Sequence, residues 1–312
     1  MRSLESAGRP GAGRAVRDRP RAGRRRLGGP RVAPYAFIAP FFILYGAFWV
    51  YPVVYSFWLS FHRWTAAAAV PVGWSNYARL GQDDAVKTAF GNDIWYLVVN
   101  NVFQLTIALG LAVLLDAAFL RGRSILRAAY FAPNIVSGVV AAIIFTIILG
   151  QGGVLDGLLP VHIDWLGSDA WAKPAVILVG GWRWIGYWVI ILLAGLQQIP
   201  GELKEAAAVE GANSWQIFRR ITVPTLRPIL LFVLVVNSIG TLQIFEEPLL
   251  LWAGNPGGPD NSATTPVLEI YKAAFTDFDM GYAAAISWAL ALLIMAIVVL
   301  QMVILRKRGW SE

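Results

Sequence analysis

The chain has 312 residues, 57% of them hydrophobic and only 14% charged, against about 25% charged in an ordinary soluble domain, so it lacks the polar side chains to cover a soluble fold of this size. It contains no cysteine, which excludes disulfides, thiol catalysis and thiolate-bound metals, and its two histidines, His62 and His162, are expected in loops and offer little for acid–base or metal chemistry. The net charge of +7 is concentrated: ten arginines lie in residues 1–33, and a basic arm beside a membrane helix meets anionic lipid or sets topology rather than binding nucleic acid.

Residues 1–33 are Arg, Gly, Pro and Ala with almost no large apolar side chains. Such a stretch cannot bury enough surface to offset its ordering entropy, and it is expected to be a disordered basic cytoplasmic tail. Six apolar segments follow, near Pro34–Ser60, Phe90–Leu115, Ile125–Gly150, Pro174–Leu196, Leu226–Leu251 and Tyr282–Leu305. Each is long enough to cross a hydrocarbon core, which takes about 20 helical residues. The first is too long for the core of a signal peptide and has no small-residue cleavage site behind it, so it is expected to remain as an anchor. The fold class is therefore all-α, a polytopic membrane bundle of six transmembrane helices over 34–305, with a short tail at 306–312.

Lysine and arginine set the orientation. With the amino terminus cytoplasmic, twenty of the 26 basic residues fall on the cytoplasmic side. These include Arg121, Arg123 and Arg127 after the second span, Lys204, Arg219, Arg220 and Arg227 after the fourth, and Arg306, Lys307 and Arg308 at the end. The other side keeps Arg63, Arg79, Lys87, Lys173, Arg183 (near the outer end of the fourth span) and Lys272. Both termini are expected in the cytoplasm, with the chain crossing the membrane six times. No internal repeat is visible, which argues against a carrier built from inverted repeats.

The loop between the fourth and fifth spans, 197–225, differs from the others. It reads as a helix–turn–helix outside the bilayer. Pro200 suits a first helical turn, residues 202–209 are strong helix formers, and Gly211 suits a left-handed helix end. Asn213 and Gln216 have capping-box spacing for a second helix, which Pro224 should halt. Leu203, Ala206, Ala207 and Ala208 form a small flat surface, with Glu205 as one charged contact. That surface fits a groove on a partner; a plain interfacial helix pair is the alternative.

This loop resembles the EAA loop of permease subunits of binding-protein-dependent ABC importers. The resemblance lies in Glu205-Ala206-Ala207, Gly211, and Ile221-Thr222-Val223-Pro224, with Val223 where leucine is usual. Residues 33–61 and 254–288 are similar to the carbohydrate-type permeases related to the maltose and glycerol-phosphate systems, of the first-permease type. Only residues 1–32 lie outside the match. The resemblance implies that the loop is a coupling helix docking into a cytoplasmic ABC ATPase dimer, with Glu205, Ala206, Ala207, Gly211, Ile221 and Pro224 as ATPase-coupling residues. It implies further partners: a second permease subunit in a heterodimer, an extracytoplasmic solute-binding protein and a sugar or related polyol. No G-x-x-x-x-G-K-[ST] phosphate loop is present. ATP and Mg are therefore expected on the separate ATPase, leaving this chain non-catalytic and without a cofactor of its own.

Polar residues at membrane depth tend to face a pathway or pair between helices. Asn100, Asn101 and Gln104 in the second span are expected mainly to pair. In the fifth, Asn237 and Thr241 share a face at i and i+4 and, with Gln243, are candidates for the substrate pathway. The fourth span adds Trp184 and Tyr187, one turn apart, whose aromatic faces suit a sugar, whereas Trp182 and Arg183 read as rim. Glu246 and Glu247 read as a solvated pair, and Arg219 and Arg220 as lipid anchors. The expected mechanism is alternating access, driven by ATP's preference for one state of the ATPase. The rivals are a permease for an amino acid or peptide, an intramembrane enzyme and a self-contained secondary carrier. The second lacks any visible nucleophile–base constellation.

Overall fold

A computed structural model of the chain describes residues 33–64, 68–116, 122–158 and 160–307. The expectations for residues 1–32, for Arg121, and for Arg308 with the rest of the tail to 312 lie outside the described residues. The chain divides into two compact units, one ending at Pro52 and one beginning at Val53.

The first unit contains α1 (Ala33–Tyr45) and a π-helical turn, Gly46–Val50, that leads into α2 (Tyr51–Leu59). The wide turn has a local cause. A proline ring clashes with the carbonyl four residues back, and i→i+5 bonding moves that carbonyl aside. Pro52 follows this π turn by two residues, and Tyr51 N–H donates to Gly46 O across it. None of the window that makes Pro34–Leu59 a candidate span is buried. Its exposed Phe, Tyr and Trp side chains suit a lipid face.

The second unit opens with the end of α2. A short antiparallel hairpin follows, β1 (His62–Trp64) and β2 (Ala69–Pro71), with Arg63 opposite Val70. An all-α reading misses it. His62 therefore lies in a strand, where its ring stacks on Trp58 at 3.8 Å. Helix α3 (Ser75–Leu80) precedes the long α4 (Asp84–Asp116).

The third expected span is not one helix. It consists of α5 (Arg123–Ile135) and α6 (Gly138–Leu149), bent by 101° at the break. With 13 and 12 residues, each runs under about 20 Å, short of a 30 Å core. Pro133 removes a donor near the end of α5. Val136 and Ser137 are then extended, and the Ser137 hydroxyl caps α6 by accepting from Val140 N–H. Hydropathy is blind to this break because both pieces are apolar enough to pass as one window.

After α7 (Val154–Leu158) comes α8 (Asp169–Leu196), which starts five residues before its expected boundary and carries Pro174 in its first turns. The connecting loop holds α9 (Gly201–Val209), α10 (Ser214–Ile217), a second π turn at Phe218–Thr222 and α11 (Val223–Thr225). Helix α12 (Arg227–Thr241) stops at a break over residues 242–245, and α13 (Glu246–Leu250) resumes the path. A 3-10 turn, Pro259–Asn261, leads to α14 (Pro266–Tyr271), a third π turn at Lys272–Thr276, and α15 (Met280–Lys307). Among the described residues, five helices are long and apolar enough to cross a membrane, or six if the bent α5–α6 pair is one span.

One core cluster runs along α4, α8 and α12 toward the loop end, through Ala108, Ala112, Leu192, Leu196, Leu226 and Val233. A second joins Tyr96, Ala141, Val176 and Val179 in the other half of the bundle. Alanine and glycine at these seams let backbones approach closely, as packing inside lipid requires. Helix α15 keeps only 6% of its apolar window buried.

Candidate functional site

Between these two clusters lies a cavity of about 740 Å³. It sits halfway along its helices. Asn100 is near the middle of α4, and Arg183 is near the middle of α8 rather than at an outer end. One wall is α8, with Gly180, Trp184, Tyr187 and Trp188; the facing wall is α12, with Asn237, Gly240 and Thr241. The break after α12 contributes Gln243, and α13 contributes Glu246 and Glu247. Irregular backbone at membrane depth is tolerated where it lines a cavity. Here Ile244 O, freed by the break, accepts from the Thr265 hydroxyl at 2.7 Å.

All five residues expected in the pathway, Trp184, Tyr187, Asn237, Thr241 and Gln243, line this space. Trp184 and Tyr187 meet edge to face at 6.1 Å, and Tyr187 packs on Trp188 at 4.9 Å. The amides have two roles at once. Asn100 Nδ2 donates to Thr241 Oγ1 at 2.8 Å, and Asn237 Nδ2 donates to Asn101 Oδ1 at 3.0 Å. Gln104 donates to Asn100 Oδ1 and accepts from Trp188 Nε1. Ser238 receives bonds from Asn101 and from Gln301 of α15. The network thus ties four helices together, while Asn100, Gln104, Asn237 and Thr241 also present atoms to the cavity. Gln243 is exposed to the cavity. Trp182 is outside its lining and packs edge-on to Phe145.

Two expectations fail here. Glu247 is buried while Glu246 stays about half-exposed, so the two are not a solvated pair, and Arg183 is not rim. One Arg183 Nη1 donates to Glu246 at 2.9 Å and to Glu247 at 3.1 Å. The Arg183 and Glu247 side chains are only 13% and 10% exposed. Gly138, the first residue of α6, abuts the same cluster: a Cβ there would overlap the Glu246 carboxylate. The Glu246 charge therefore faces a helix amino terminus, where the macrodipole favours an anion. No local pattern announces this, since Arg183 and its partners are over sixty residues apart. Truncating one side of a buried pair strands the other charge, at about 3–5 kcal/mol. Arg183→Ala should therefore lower the thermal midpoint in detergent, read by tryptophan fluorescence, and adding Glu247→Gln should recover part of the loss. Asp93 is also fully buried and its carboxylate has no hydrogen-bond partner among the described residues, but it does not line the cavity.

The loop after α8 is built as its residues dictate. Gly211 takes a φ of +89°. Ala212 N–H donates to Ala207 O and Gly211 N–H to Ala208 O, the paired bonds of a Schellman helix end. Asn213 and Gln216 form the reciprocal capping box, each bond 2.9 Å. Pro200 precedes α9 as its cap rather than entering its first turn. Pro224 does not halt the second helix. The π turn before it repeats the arrangement at Pro52, with Val223 N–H donating to Phe218 O, and the helical path continues to Thr225. Glu205, Ala206, Ala208 and Gly211 are exposed, Ala207, Ile221 and Pro224 half-buried. Leu203, Val209 and Trp215 are exposed apolar side chains beside them.

Residues 104–309 match the family model of the binding-protein-dependent transport system inner membrane component. The chain is 34% identical over 273 residues to the arabinooligosaccharides transport system permease protein AraP of Bacillus subtilis (strain 168), covering 86% of each protein. It is 34% identical over 281 residues to the lactose transport system permease protein LacF of Rhizobium radiobacter, covering 88% of this chain and 94% of that one. Its fold matches a crystal structure of a bacterial ABC transporter that imports the acidic polysaccharide alginate, with a TM-score of 0.78 at 22% identity over 89% of this chain and 96% of that one. The chain belongs to the family of binding-protein-dependent transport system inner membrane components, as a multi-pass, non-catalytic permease subunit of an ABC importer.

Proposed function

We propose that the chain forms half of the translocation pore for a sugar or related polyol, and that the cavity between α8 and α12 holds the cargo in transit. The observation that carries this is the meeting of Trp184 and Tyr187 with Asn237, Thr241 and Gln243 around one cavity of about 740 Å³. Aromatic faces cover the apolar faces of a sugar ring, and amide and hydroxyl groups bond its rim. The volume lies within the roughly 300–1,000 Å³ usual for small-ligand sites. The sugar-named relatives AraP and LacF support the same cargo class.

The amino terminus and the α9–α11 loop lie in the cytoplasm, the side with most of the basic residues. The loop docks on a separate ATPase dimer through Glu205, Ala206, Ala207 and Gly211, with Ile221 and Pro224 holding its second helix. ATP and Mg reside on that ATPase. A second, different permease completes the pore, and an extracytoplasmic binding protein delivers the cargo. ATP binding closes the ATPase dimer, and the loop carries that closure to the bundle.

Affinity purification of the tagged chain from native membranes, with mass spectrometry, tests the assembly. Recovery of an ATPase and a second permease is expected. A stable complex lacking both, from membranes expressing both, would sink the reading. In transport assays with the identified binding protein, Gln243→Ala should raise KM roughly 2- to 10-fold, the loss of one hydrogen bond, with no change in melting. Asn237→Ala should raise KM and also lower the melting midpoint, because the buried Asn101 Oδ1 loses its donor.

A further inference from the structure

Helix α9 has no buried residue. Among the described residues, Lys204 is the one side chain of this helix that bonds to another element, its Nζ donating to Asp116 Oδ2 at 3.2 Å. The two side chains are 33% and 25% exposed, so water only partly screens the pair. Asp116 is the last residue of α4, the helix that carries Asn100 and Gln104 to the central cavity.

Beside the ion pair lies a smaller cavity of about 220 Å³. Val113 of α4, Leu196 of α8, and Ile217, Phe218 and Thr222 of the loop surround it together with the pair. The space is wide enough for water, so the side chains around it do not pack against one another across it. Close packing therefore does not lock α9 to the end of α4, and the Lys204–Asp116 contact bridges the place where packing is missing. From Asp116 back to Gln104 the helix is continuous and has no proline. Gln104 is twelve residues away, roughly 18 Å at 1.5 Å per residue, so movement of the Asp116 end reaches the cavity wall through one rigid element.

We propose that Lys204 and Asp116 are positioning residues that make α4 follow the coupling helix, joining the ATPase-facing loop directly to the Asn100–Gln104 wall of the cavity. This rests on the reading that α9 docks on the ATPase. The link is a charge pair across a gap, so it should respond to charge and not to side-chain identity.

The chain has no cysteine, so two introduced cysteines give this chain two defined labelling positions, and it is labelled before assembly with its partners. Nitroxides at Glu202→Cys and Leu114→Cys, both exposed positions, would be measured by pulsed EPR in the complete transporter, nucleotide-free and trapped with ATP and vanadate. With the pair intact, one narrow distance is expected, unchanged by trapping. In Lys204→Ala or Asp116→Ala the distribution should broaden and shift on trapping, with the ATPase still co-purifying. The exchanged pair Lys204→Asp/Asp116→Lys should restore the narrow, unchanged distance, and Lys204→Arg should keep it. A Lys204→Ala distribution identical to the parent in both states would overturn the proposal, as would an exchange that restores nothing. Loss of the ATPase from Lys204→Ala would also overturn it, by assigning Lys204 to docking. Failure of the docking reading looks different: the ATPase would remain bound when Glu205 is reversed in charge.

Discussion

Uptake should fall to background in Glu205→Lys while the chain stays in the membrane at its normal level. Glu205 is exposed and makes no side-chain bond among the described residues, so reversing its charge removes nothing that holds this chain together. The melting midpoint should not move. The cost appears only where a partner meets α9, because a like-charge contact at an interface costs several kcal/mol and a charge removed from its rim slows association. Gly211→Asp should also abolish uptake, by a different route. A Cβ at Gly211 would meet nothing within 4 Å, but its φ of +89° lies where side chains are rarely found. The penalty is backbone strain of about 1–2 kcal/mol, enough to open the Schellman end and shift α9 against its partner, with a small fall in melting midpoint. Wild-type uptake in both variants would remove the coupling role from this loop.

The largest stability effect is expected at Gly186. A Cβ there would overlap the backbone carbonyl oxygen of Tyr130, so α8 and α5 touch main chain to main chain. A flexible side chain could turn away from an added methyl, but a helix carbonyl cannot. Overpacking ordinarily costs about 1–3 kcal/mol, and a clash with backbone belongs at the top of that range or above it. Gly186→Ala should sharply reduce the monodisperse fraction in detergent size-exclusion chromatography, and Gly186→Leu should abolish it. Gly91→Ala is the control. It lies in α4 with open space around a Cβ, and the same change there should be neutral or stabilising by about 0.5–1 kcal/mol, because alanine is the better helix former. Equal behaviour of the two alanine variants would mean that α5 and α8 are not in close contact.

Much of the loop was legible from sequence because its devices are local. Gly211, Asn213 and Gln216 act on backbone within three or four residues of themselves, and their bonds form at those positions. Pro224 was misread because the rule that proline ends a helix assumes i→i+4 bonding, and the π turn at Phe218–Thr222 relaxes it. The aromatic and amide residues of the cavity were legible as polar or amphipathic groups at membrane depth, where few are tolerated without a role. That they line one space together was not, since spacing along one helix says nothing about which other helix it faces.

By itself the sequence determined the membrane class, the positions of five long apolar helices, the caps of the α9–α10 loop and the absence of a phosphate loop. These follow from composition and from contacts within one turn of helix. Only the tertiary structure decided that the third apolar stretch bends by 101°, that Arg183 is held by Glu246 and Glu247, and that Lys204 reaches Asp116. Each depends on groups brought together from dozens of residues apart, or on a turn whose geometry hydropathy does not register. In an apolar solvent the burial pattern carries little of that information, because lipid-facing and core-facing residues are equally apolar. Pairing between helices is then set by small residues and polar contacts, which become visible only once the helices are in place.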